Sequence, residues 1–245
     1  MKTLTIIPSR LSATRLPGKP LLKINGLSMI SHVFKKAEEA NIGEVVVATE
    51  DQEIMDDVKK NGGQVILTEK KHKTGTDRIY EALQKLDHKN IDLIMNLQGD
   101  EPLMNIQDIR NLNDQMIKNK SQLGTLASKI KDKALYENEN IVKVYTKEYL
   151  DNINFPEAKD FMRKISKYDE NIYHHLGIYS YRKETLRDFV SYNQSSNEIK
   201  NRLEQLRALD NKIKINVALA KSSPIGVDTE EDFLAIKKIM EYKSE

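Results

Sequence analysis

Short runs of apolar, mostly β-branched residues alternate with amphipathic stretches through the first hundred residues. Continuous hydrophobicity is typical of strands covered on both faces, and the runs lie at 4–7, 45–48, 65–67 and 93–97. Between the runs, apolar residues share one helical face, and the clearest such stripe is Ile79, Ala82, Leu83 and Leu86. This β-α-β-α-β-α-β order predicts a mostly parallel sheet with right-handed crossovers.

The second half of the chain is less regular. Strands are predicted at 123–130, 141–146, 173–182 and 213–220, and helices at 198–209 and from a capping box at 229–232 onward. The polar, proline-containing segment 150–172 is interpreted as a long excursion. No repeat, low-complexity tract or linker interrupts the chain, so we predict a single α/β domain over residues 1–245.

Composition narrows the classes of protein to consider. The 245 residues carry a net charge of +2 and contain neither cysteine nor tryptophan. Disulfides, thiolate metal sites and cysteine nucleophiles are therefore excluded, and the near-balanced charge argues against a general nucleic-acid surface. The first residues show no secretory signal, and no run of about 18 apolar residues exists, so we expect no membrane span.

The densest group of charged and hydroxyl side chains follows the first predicted strand. Residues 8–20 read Pro-Ser-Arg-Leu-Ser-Ala-Thr-Arg-Leu-Pro-Gly-Lys-Pro. A loop at the carboxyl end of the first strand of an α/β sheet is a usual ligand site, and cations with backbone amides suit a polyphosphate. The alternative is a solvated basic turn. The candidate side chains are Arg10, Ser12, Thr14, Arg15 and Lys19.

Two aspartates also follow predicted strands. Asp100 lies in the segment Gln-Gly-Asp-Glu-Pro after the fourth run, and Asp228 follows the strand at 213–220. Mg²⁺ needs only one or two carboxylates besides phosphate oxygens, so both are candidate metal ligands. The alternatives are that Asp100 bonds its own backbone in a turn, and that Asp228 or Thr229 caps the last helix.

Three further segments carry polar side chains of interest. Thr74–Arg78 opens the helix with the clear stripe, where its amides suit a polar ring edge or an anion, or where it is an ordinary helix cap. His174 and His175 face opposite sides of a strand, so they do not share a metal. Glu204 and Gln205 alone resemble a solvated helix face. Walker, dinucleotide and Ser–His–Asp patterns are absent, which argues against P-loop, dinucleotide-binding and hydrolase classes.

Taken in order, these segments resemble the 3-deoxy-manno-octulosonate (Kdo) cytidylyltransferases over essentially the whole chain. The first and last segments are those of sugar nucleotidyltransferases in general, and the His175 and Leu203 segments narrow the resemblance to the Kdo branch. The segments are Ile7–Arg10, Ser12–Leu21, Val47–Thr49, Gly75–Arg78, Gln98–Pro102, His175–Tyr179, Leu203–Arg207 and Val227–Thr229.

The resemblance implies a Rossmann-like fold of the nucleotide-diphospho-sugar transferase type. It also implies transfer of CMP from CTP to Kdo, with release of pyrophosphate, for lipopolysaccharide biosynthesis. The expected cofactor is Mg²⁺, and the expected state is a cytoplasmic homodimer in which residues about 124–185 form a dimerisation or sugar-side subregion.

The resemblance also implies roles for individual residues. Arg10, Arg15, Lys19 and Asp100 would be catalytic. The nucleotide would be bound by the loop cations with Ser12 and Thr14, and by Thr74, Gly75 and Arg78. Asp100 and Asp228 would hold the metal. The sugar pocket would be lined by Gln98, His175, Tyr179, Glu204 and Gln205, so the last two are then site residues rather than a solvated face.

One segment departs from the family pattern. Where the family has Ser-Arg-x-x-Ile-Pro, this chain has Asp151 and Asn152 in place of the Ser-Arg pair, so a cation is lost and an anion gained. Arg163 or Lys164 is a candidate substitute. The departure leaves open a cytidylyltransferase for 8-amino-Kdo or another acidic sugar. Two other classes also stay open: an inactive nucleotide- or sugar-binding homologue, and a metal-dependent glycosyltransferase.

Overall fold

Strands from both halves of the chain join one sheet. The computed structural model describes residues 1–12, 15–86, 90–132, 134–165, 167–224 and 226–242. Its strands are β1 (Thr3–Ser9), β2 (Lys23–Ile24), β3 (Leu27–Ser28), β4 (Gly43–Thr49), β5 (Val65–Leu67), β6 (Leu93–Asn96), β7 (Leu123–Ser128), β8 (Lys143–Thr146), β9 (Ala158–Met162), β10 (Ile172–Arg182) and β11 (Ile215–Leu219). All but the small hairpin β2–β3 belong to the main sheet.

The order of strands in the sheet is β11-β7-β10-β6-β1-β4-β5, with β8 and β9 attached beside β10. β1 is parallel to β4 and β6, and β11 is parallel to β7. Only β10, among the strands of the central path, runs against its neighbours, and it pairs Tyr179 with Asn96 of β6. The amino-terminal half of β10 therefore extends past the carboxyl end of β6, the edge where ligands bind in such sheets.

Helices cover both faces of the sheet, because the strands bury side chains on both sides. Leu4 and Ile6 of β1 belong to one core cluster with Ile79, and Ile7 belongs to a second cluster with Phe34. No helix within the described ranges is long and apolar enough to cross a membrane. The helices are α1 (Met29–Ala40), α2 (Gln52–Lys60), α3 (Gly75–Lys85), α4 (Ile106–Asn119), α5 (Ala134–Glu137), α6 (Lys183–Ser191), α7 (Ser196–Asn201), α8 (Leu206–Asp210) and α9 (Glu230–Tyr242).

The mostly parallel, helix-flanked sheet confirms the predicted fold class, and two local predictions were wrong. The predicted excursion at 150–172 contains β9, an edge strand whose Lys159 and Asp160 are exposed. The predicted helix at 198–209 is two short helices, α7 and α8, because Arg202 adopts a left-handed conformation with φ of 53° and ends α7. Helices α4 and α6 were not predicted.

Candidate active site

A cleft of about 280 Å³ opens at the carboxyl ends of β1 and β6, where the amino terminus of α3 meets them. Parallel strands present their carboxyl ends at one edge, so loops that are distant in sequence converge there. The cleft is lined by Pro8, Ser9, Arg10, Lys19, Pro20, His72, Thr74, Gly75, Arg78, Gln98, Gly99 and Asp100.

The loop after β1 is closed by a backbone hydrogen bond, and its Lys19 lines this cleft. Gly18 has φ of 72°, a conformation that favours glycine, and its amide donates to the carbonyl of Leu11 at 3.1 Å. A short 3₁₀ turn, Lys19–Leu21, then follows, and its middle residue Pro20 is buried. The backbone amide of Leu11 also donates to Asp51, which ties the loop to the start of α2.

Lys19 joins the two predicted metal-binding aspartates. Its Nζ lies 2.6 Å from Oδ2 of Asp100 and 3.4 Å from Oδ1 of Asp228, and it also donates to the carbonyl of Val227 at 2.7 Å. Arg15 reaches the other oxygen of Asp228 at 2.9 Å. The side chain of Lys19 is only 14% exposed, whereas that of Arg15 is 64% exposed. The structure therefore brings together two of the three loop cations, Arg15 and Lys19, and both carboxylates.

The other candidates on this loop make fewer contacts within the protein. Arg10 lines the cleft and is exposed, and it makes no ion pair within the described parts of the chain. Ser12 is exposed on the same loop, outside the lining of the cleft. Thr14 lies outside the described residues. Ser9, which sequence reasoning missed, lines the cleft with a buried hydroxyl that has no hydrogen-bond partner among the described residues.

Glu101 adds a third carboxyl group beside the aspartates. Burial raises its pKa to about 8, and the charges of Asp100 and Asp228 contribute in the same direction, so it is mostly protonated at neutral pH. Its Oε2 is buried and has no hydrogen-bond partner among the residues described. An unpartnered buried oxygen beside two carboxylates is an environment that a cation stabilises.

These groups fit Mg²⁺ in their chemistry. No cluster of three or more histidine, cysteine, aspartate or glutamate side chains within the described ranges is arranged to hold a metal by itself. Asp100 and Asp228 nevertheless share one cation, the ammonium of Lys19, so one oxygen of each lies within 3.4 Å of the same nitrogen. Since Mg²⁺ keeps several waters and takes oxygens from phosphates, two carboxylates are sufficient on the protein side.

The amino terminus of α3 forms the opposite wall of the cleft. Thr74 caps the helix, accepting a hydrogen bond from the amide of Asp77 at 3.1 Å. Gly75 approaches the ring of Pro8, where an added Cβ would lie 3.4 Å from Cγ. Arg78 is only 3% exposed, and its guanidinium donates to Glu50 and Thr68. Its charge is therefore already balanced inside the protein.

Two of the predicted sugar-side residues lie on β10. His175 is buried, and its Nε2 lies 3.0 Å from Oγ1 of Thr125. Thr125 has one hydroxyl proton, which it donates to the carbonyl of Ile178 at 2.7 Å, so we assign the proton of the His175 ring to Nε2. Burial lowers the pKa of His175 to about 3, so the ring is neutral and its Nδ1 is an acceptor. The ring of Tyr179 lies 5.5 Å away, and burial raises the pKa of its phenol.

A bulge in β10 links this strand to the cleft beside Lys19. The pairing with β7 shifts between Leu176 and Tyr179, which leaves the carbonyl of Gly177 turned away from β7. Gln98 of the cleft donates to that carbonyl at 3.0 Å. His174 instead points to Ser223, with 2.7 Å between its Nδ1 and the hydroxyl oxygen. As predicted from the alternation of a strand, the two histidines have different partners.

Glu204 and Gln205 lie in the turn between α7 and α8, not in the middle of a helix. Gln205 is buried. Oε2 of Glu204 accepts a hydrogen bond from Thr76 at 3.0 Å, which joins this turn to the start of α3. Burial raises the pKa of Glu204, opposed by hydrogen bonds from Thr76 and Thr74 and by the charge of Arg207. Its Oε1 is buried without a hydrogen bond among the described residues.

A buried ion pair supports the turn that carries Glu204. Arg207 donates to both oxygens of Glu198, at 2.8 and 2.6 Å, and both side chains are almost fully enclosed. The guanidinium also lies over the ring of Phe189, 4.7 Å from its centroid. Burial alone would raise the pKa of Glu198, but the hydrogen bonds from Arg207 lower it overall. Sequence reasoning missed this pair because its two members lie in separate helices.

A second, larger cleft of about 730 Å³ adjoins the Lys19 cluster through Arg15 and Asp228. Arg163 lines it, but its guanidinium donates to the backbone carbonyls of residues 139, 201 and 202. Lys164 pairs with Glu139 at 2.8 Å. Both candidate substitutes for the missing cation are thus engaged within the protein. Asp151 accepts hydrogen bonds from the amides of residues 153 and 154 and stabilises its own turn.

Comparison with known proteins gives consistent matches along nearly the whole chain. A family profile described as "Cytidylyltransferase" matches residues 4–215. The chain is 40% identical to a 3-deoxy-manno-octulosonate cytidylyltransferase of Afipia carboxidovorans over 97% of its own length and 96% of the relative, and 41% identical to one of Rhodopseudomonas palustris over 98% of both. The solved structure of CMP:2-keto-3-deoxy-manno-octonic acid synthetase complexed with CTP superposes with a TM-score of 0.90 at 33% identity, covering 99% of this chain and 100% of that one. An apo UDP-glucose pyrophosphorylase has the same fold, with a TM-score of 0.76 at 13% identity and full coverage of both chains.

Proposed function

The chain belongs to the family of 3-deoxy-manno-octulosonate cytidylyltransferases, and we propose that it transfers CMP from CTP to Kdo, releasing pyrophosphate. The observation that carries this proposal is the contact of Lys19 with both Asp100 and Asp228, in a cleft that Lys19 and Asp100 line. The product is an activated sugar, which supplies lipopolysaccharide biosynthesis. Because CTP is a cytoplasmic metabolite, the cytoplasm is the compartment we propose for the reaction.

The reaction is an in-line displacement at the α-phosphorus of CTP. The anomeric hydroxyl oxygen of Kdo forms a bond to the α-phosphorus, and the bond from that phosphorus to the bridging oxygen of the β-phosphate breaks. The hydroxyl proton goes to solvent, and pyrophosphate leaves. Charge spreads over the phosphoryl oxygens in the transition state, so positioning and cations provide most of the catalysis.

The loop cations are suited to that charge. Arg10 has no carboxylate partner in the described ranges, and Arg15 is mostly exposed, so both have capacity to bind β- and γ-phosphate oxygens. Lys19 is held in place before the nucleotide arrives, which lowers the cost of ordering it. These three residues are the proposed catalytic cations, with Ser12 and Thr14 as further nucleotide contacts.

Asp100 and Asp228 are the proposed ligands of Mg²⁺. When bound, the metal neutralises charge on the α-phosphate and lowers the pKa of the attacking hydroxyl. The carboxylates also have a role of their own, because they orient Lys19 toward the cleft. Without a metal, three loop cations face two carboxylates and a highly charged triphosphate, which is why we propose that nucleotide binding depends on Mg²⁺.

The base and ribose are assigned to the α3 side of the cleft, near Thr74, Gly75 and Arg78. Glu50 balances the charge of Arg78, so this end suits an uncharged ring. The sugar is assigned to Gln98, His175, Tyr179, Glu204 and Gln205. Neutral His175 offers an acceptor, and Glu204 has an unsatisfied oxygen, both of which suit the hydroxyl groups of a sugar.

We also propose a homodimer in which residues about 124–185 provide the contact. This region exposes large apolar side chains, including Tyr149, Ile153 and Tyr168. Large exposed apolar side chains are frequent at protein interfaces. Size-exclusion chromatography with light scattering tests this part of the proposal, and a monomer at micromolar concentration would contradict it.

The departure at Asp151 and Asn152 favours a second candidate substrate. A family cation is absent there, and Arg163 and Lys164 are engaged elsewhere in the protein. A cytidylyltransferase that accepts 8-amino-Kdo or another acidic sugar is therefore the alternative. The intact loop cations and both aspartates argue against an inactive homologue.

The test is a reaction containing the protein, CTP, Mg²⁺ and Kdo, with CMP-Kdo and pyrophosphate measured together. Equal amounts of the two products support CMP transfer. A double variant, Lys19→Ala with Asp100→Asn, is the inactive control. Consumption of CTP at the same rate without a sugar would indicate hydrolysis and would contradict the proposal.

A further inference from the structure

His72 borders the nucleotide cleft although the proposed mechanism does not use it. It lies in the connection between β5 and α3, two residues before the cap residue Thr74, and its side chain is only 13% exposed. It lines the cleft together with Thr74, Gly75 and Arg78, the residues assigned to the base and ribose. An imidazole in this position offers a nucleotide base an aromatic ring and one polar ring nitrogen.

The ring of His72 is hydrogen-bonded to Glu81 on α3. Nε2 of His72 makes a hydrogen bond to Oε2 of Glu81, which also accepts from the backbone amide of Glu69 at 3.1 Å. Lys85 pairs with Glu81 at 2.6 Å and donates to the carbonyl of Leu67 at 2.9 Å. Leu67, Glu69 and His72 of this connection are therefore all hydrogen-bonded to side chains of α3.

The ionisation of Glu81 is consistent with its role as the hydrogen-bond acceptor of His72. Burial alone would raise the pKa of Glu81, but hydrogen bonds from His72 and Lys85 outweigh it and lower the pKa to about 2. Glu81 is therefore a carboxylate at neutral pH and only accepts hydrogen bonds. Nε2 of His72 must then carry the proton, so in the neutral ring Nδ1 is the acceptor.

Arg78, which also lines this wall, likewise bonds to a carboxylate, that of Glu50. His72 and Arg78, on one wall of the cleft, are thus each hydrogen-bonded to a carboxylate. The loop across the cleft contains Arg10, which has no such partner within the described residues. A triphosphate is attracted to the loop side, and an uncharged base is left to the wall that contains His72.

We propose that His72 contacts the pyrimidine ring and determines the preference for cytosine, and that Glu81 is the residue that positions it. This inference rests on the proposed use of CTP. The exocyclic amino group of cytosine donates hydrogen bonds, whereas uracil has a carbonyl oxygen at the same place. An acceptor nitrogen fixed by Glu81 stabilises the first and repels the second, because two acceptors would then face each other.

The test measures equilibrium binding of CTP and of UTP by calorimetry, with Mg²⁺ and without sugar. His72→Phe keeps an aromatic ring but removes the acceptor, and Glu81→Gln keeps the shape but removes the charge. Glu69→Gln is the matched control, because it changes an exposed carboxylate on the same loop whose side chain does not hold His72. Thermal unfolding of each variant shows whether it is folded.

We expect the wild-type protein to bind CTP more tightly than UTP. His72→Phe should reduce that preference by about 10-fold, mostly by weakening CTP, as loss of one hydrogen bond would. Glu81→Gln should reduce it by about 3-fold, and Glu69→Gln should leave it unchanged. In the full reaction, His72→Phe and Glu81→Gln should raise the KM for CTP more than they lower kcat, since the contact is remote from the α-phosphorus.

A CTP-to-UTP preference that stays within 2-fold of wild type in His72→Phe would overturn the proposal. So would a Glu81→Gln variant that loses thermal stability but keeps the full preference, because Glu81 would then be only structural. Binding is measured without Kdo, so it is independent of CMP transfer. Selective CTP binding without pyrophosphate release would contradict the proposed function and leave the role of His72 intact.

Discussion

The Nζ of Lys19 lies 2.6 Å from Oδ2 of Asp100, and the same nitrogen donates to the carbonyl of Val227, 208 residues further along the chain. The loop after β1, the end of β6 and the start of α9 therefore meet at one ammonium group. Because its side chain is mostly buried, this lysine has lost its freedom before any substrate binds. A cation held in advance stabilises transition-state charge without further reorganisation.

Replacement of Lys19 by alanine should therefore lower kcat by about 100-fold or more, with the loss in transition-state stabilisation rather than in folding. Steady-state pyrophosphate release with Kdo measures this effect. Lys23→Ala is the matched control, because Lys23 is an exposed lysine on the adjacent β2. Near-normal turnover in the Lys19 variant would remove it from the catalytic set.

Removal of divalent cations should abolish the reaction. We expect EDTA to lower pyrophosphate release by at least about 100-fold and added Mg²⁺ to restore it, because the carboxylates and phosphates repel each other without a metal. Asp228→Asn should raise the Mg²⁺ concentration for half-maximal rate by about 10-fold. The exposed Glu230→Gln serves as control. Full activity in dialysed protein with EDTA would be incompatible with a metal at Asp100 and Asp228.

The buried pair of Arg207 and Glu198 should be important for stability. Arg207→Met leaves the carboxylate of Glu198 buried without its partner, which should cost about 3–5 kcal/mol of unfolding free energy. Arg187→Ala, which breaks the exposed pair with Asp188, should change it by less than about 1 kcal/mol. Urea unfolding of both variants gives the comparison. Equal stability of the two variants would mean that the carboxylate of Glu198 does not depend on Arg207 for its charge to be compensated.

Glu81 should make the stability of the protein depend on pH on the acid side. Its pKa is lowered from 4.5 to about 2 on folding, so its contribution is complete above about pH 4.5 and is lost as the pH falls through 2. The shift corresponds to at most about 3 kcal/mol. Glu81→Gln should thus be less stable than wild type at pH 7, and the difference should shrink toward pH 2. A difference that is constant from pH 7 to pH 2 would contradict the depressed pKa.

Hydrophobic pattern alone predicted the parallel strands of the first half, because strands buried on both faces consist of continuous apolar runs. It failed for β9, since an edge strand with exposed Lys159 and Asp160 has no such run. It also failed at Arg202, where the helix ends in a left-handed residue that is neither glycine nor asparagine. A stop of this kind depends on the packing of α7 and α8, which no local pattern encodes.

For the candidate site, the sequence predicted which residues are neighbours but not which atoms they contact. Positions after strand ends indicated Lys19, Asp100 and Asp228 as neighbours, and the structure places them in contact. Their exact partners were not predictable, because the Lys19–Asp228 contact depends on how α9 returns to the first loop. His72 was missed because a single histidine in a polar run has no periodic signal. Its position three residues before Gly75 was the available clue.

The most direct test of the central claim compares pyrophosphate release from CTP and Mg²⁺ with Kdo, 8-amino-Kdo and N-acetylneuraminate as acceptors, side by side. We predict the highest kcat/KM with Kdo, which would make Asp151 and Asn152 a tolerated change. Release with another of these sugars alone would keep the chemistry and reassign the substrate. No release with any acceptor, from folded protein that binds CTP, would contradict the assignment of this chain as a cytidylyltransferase.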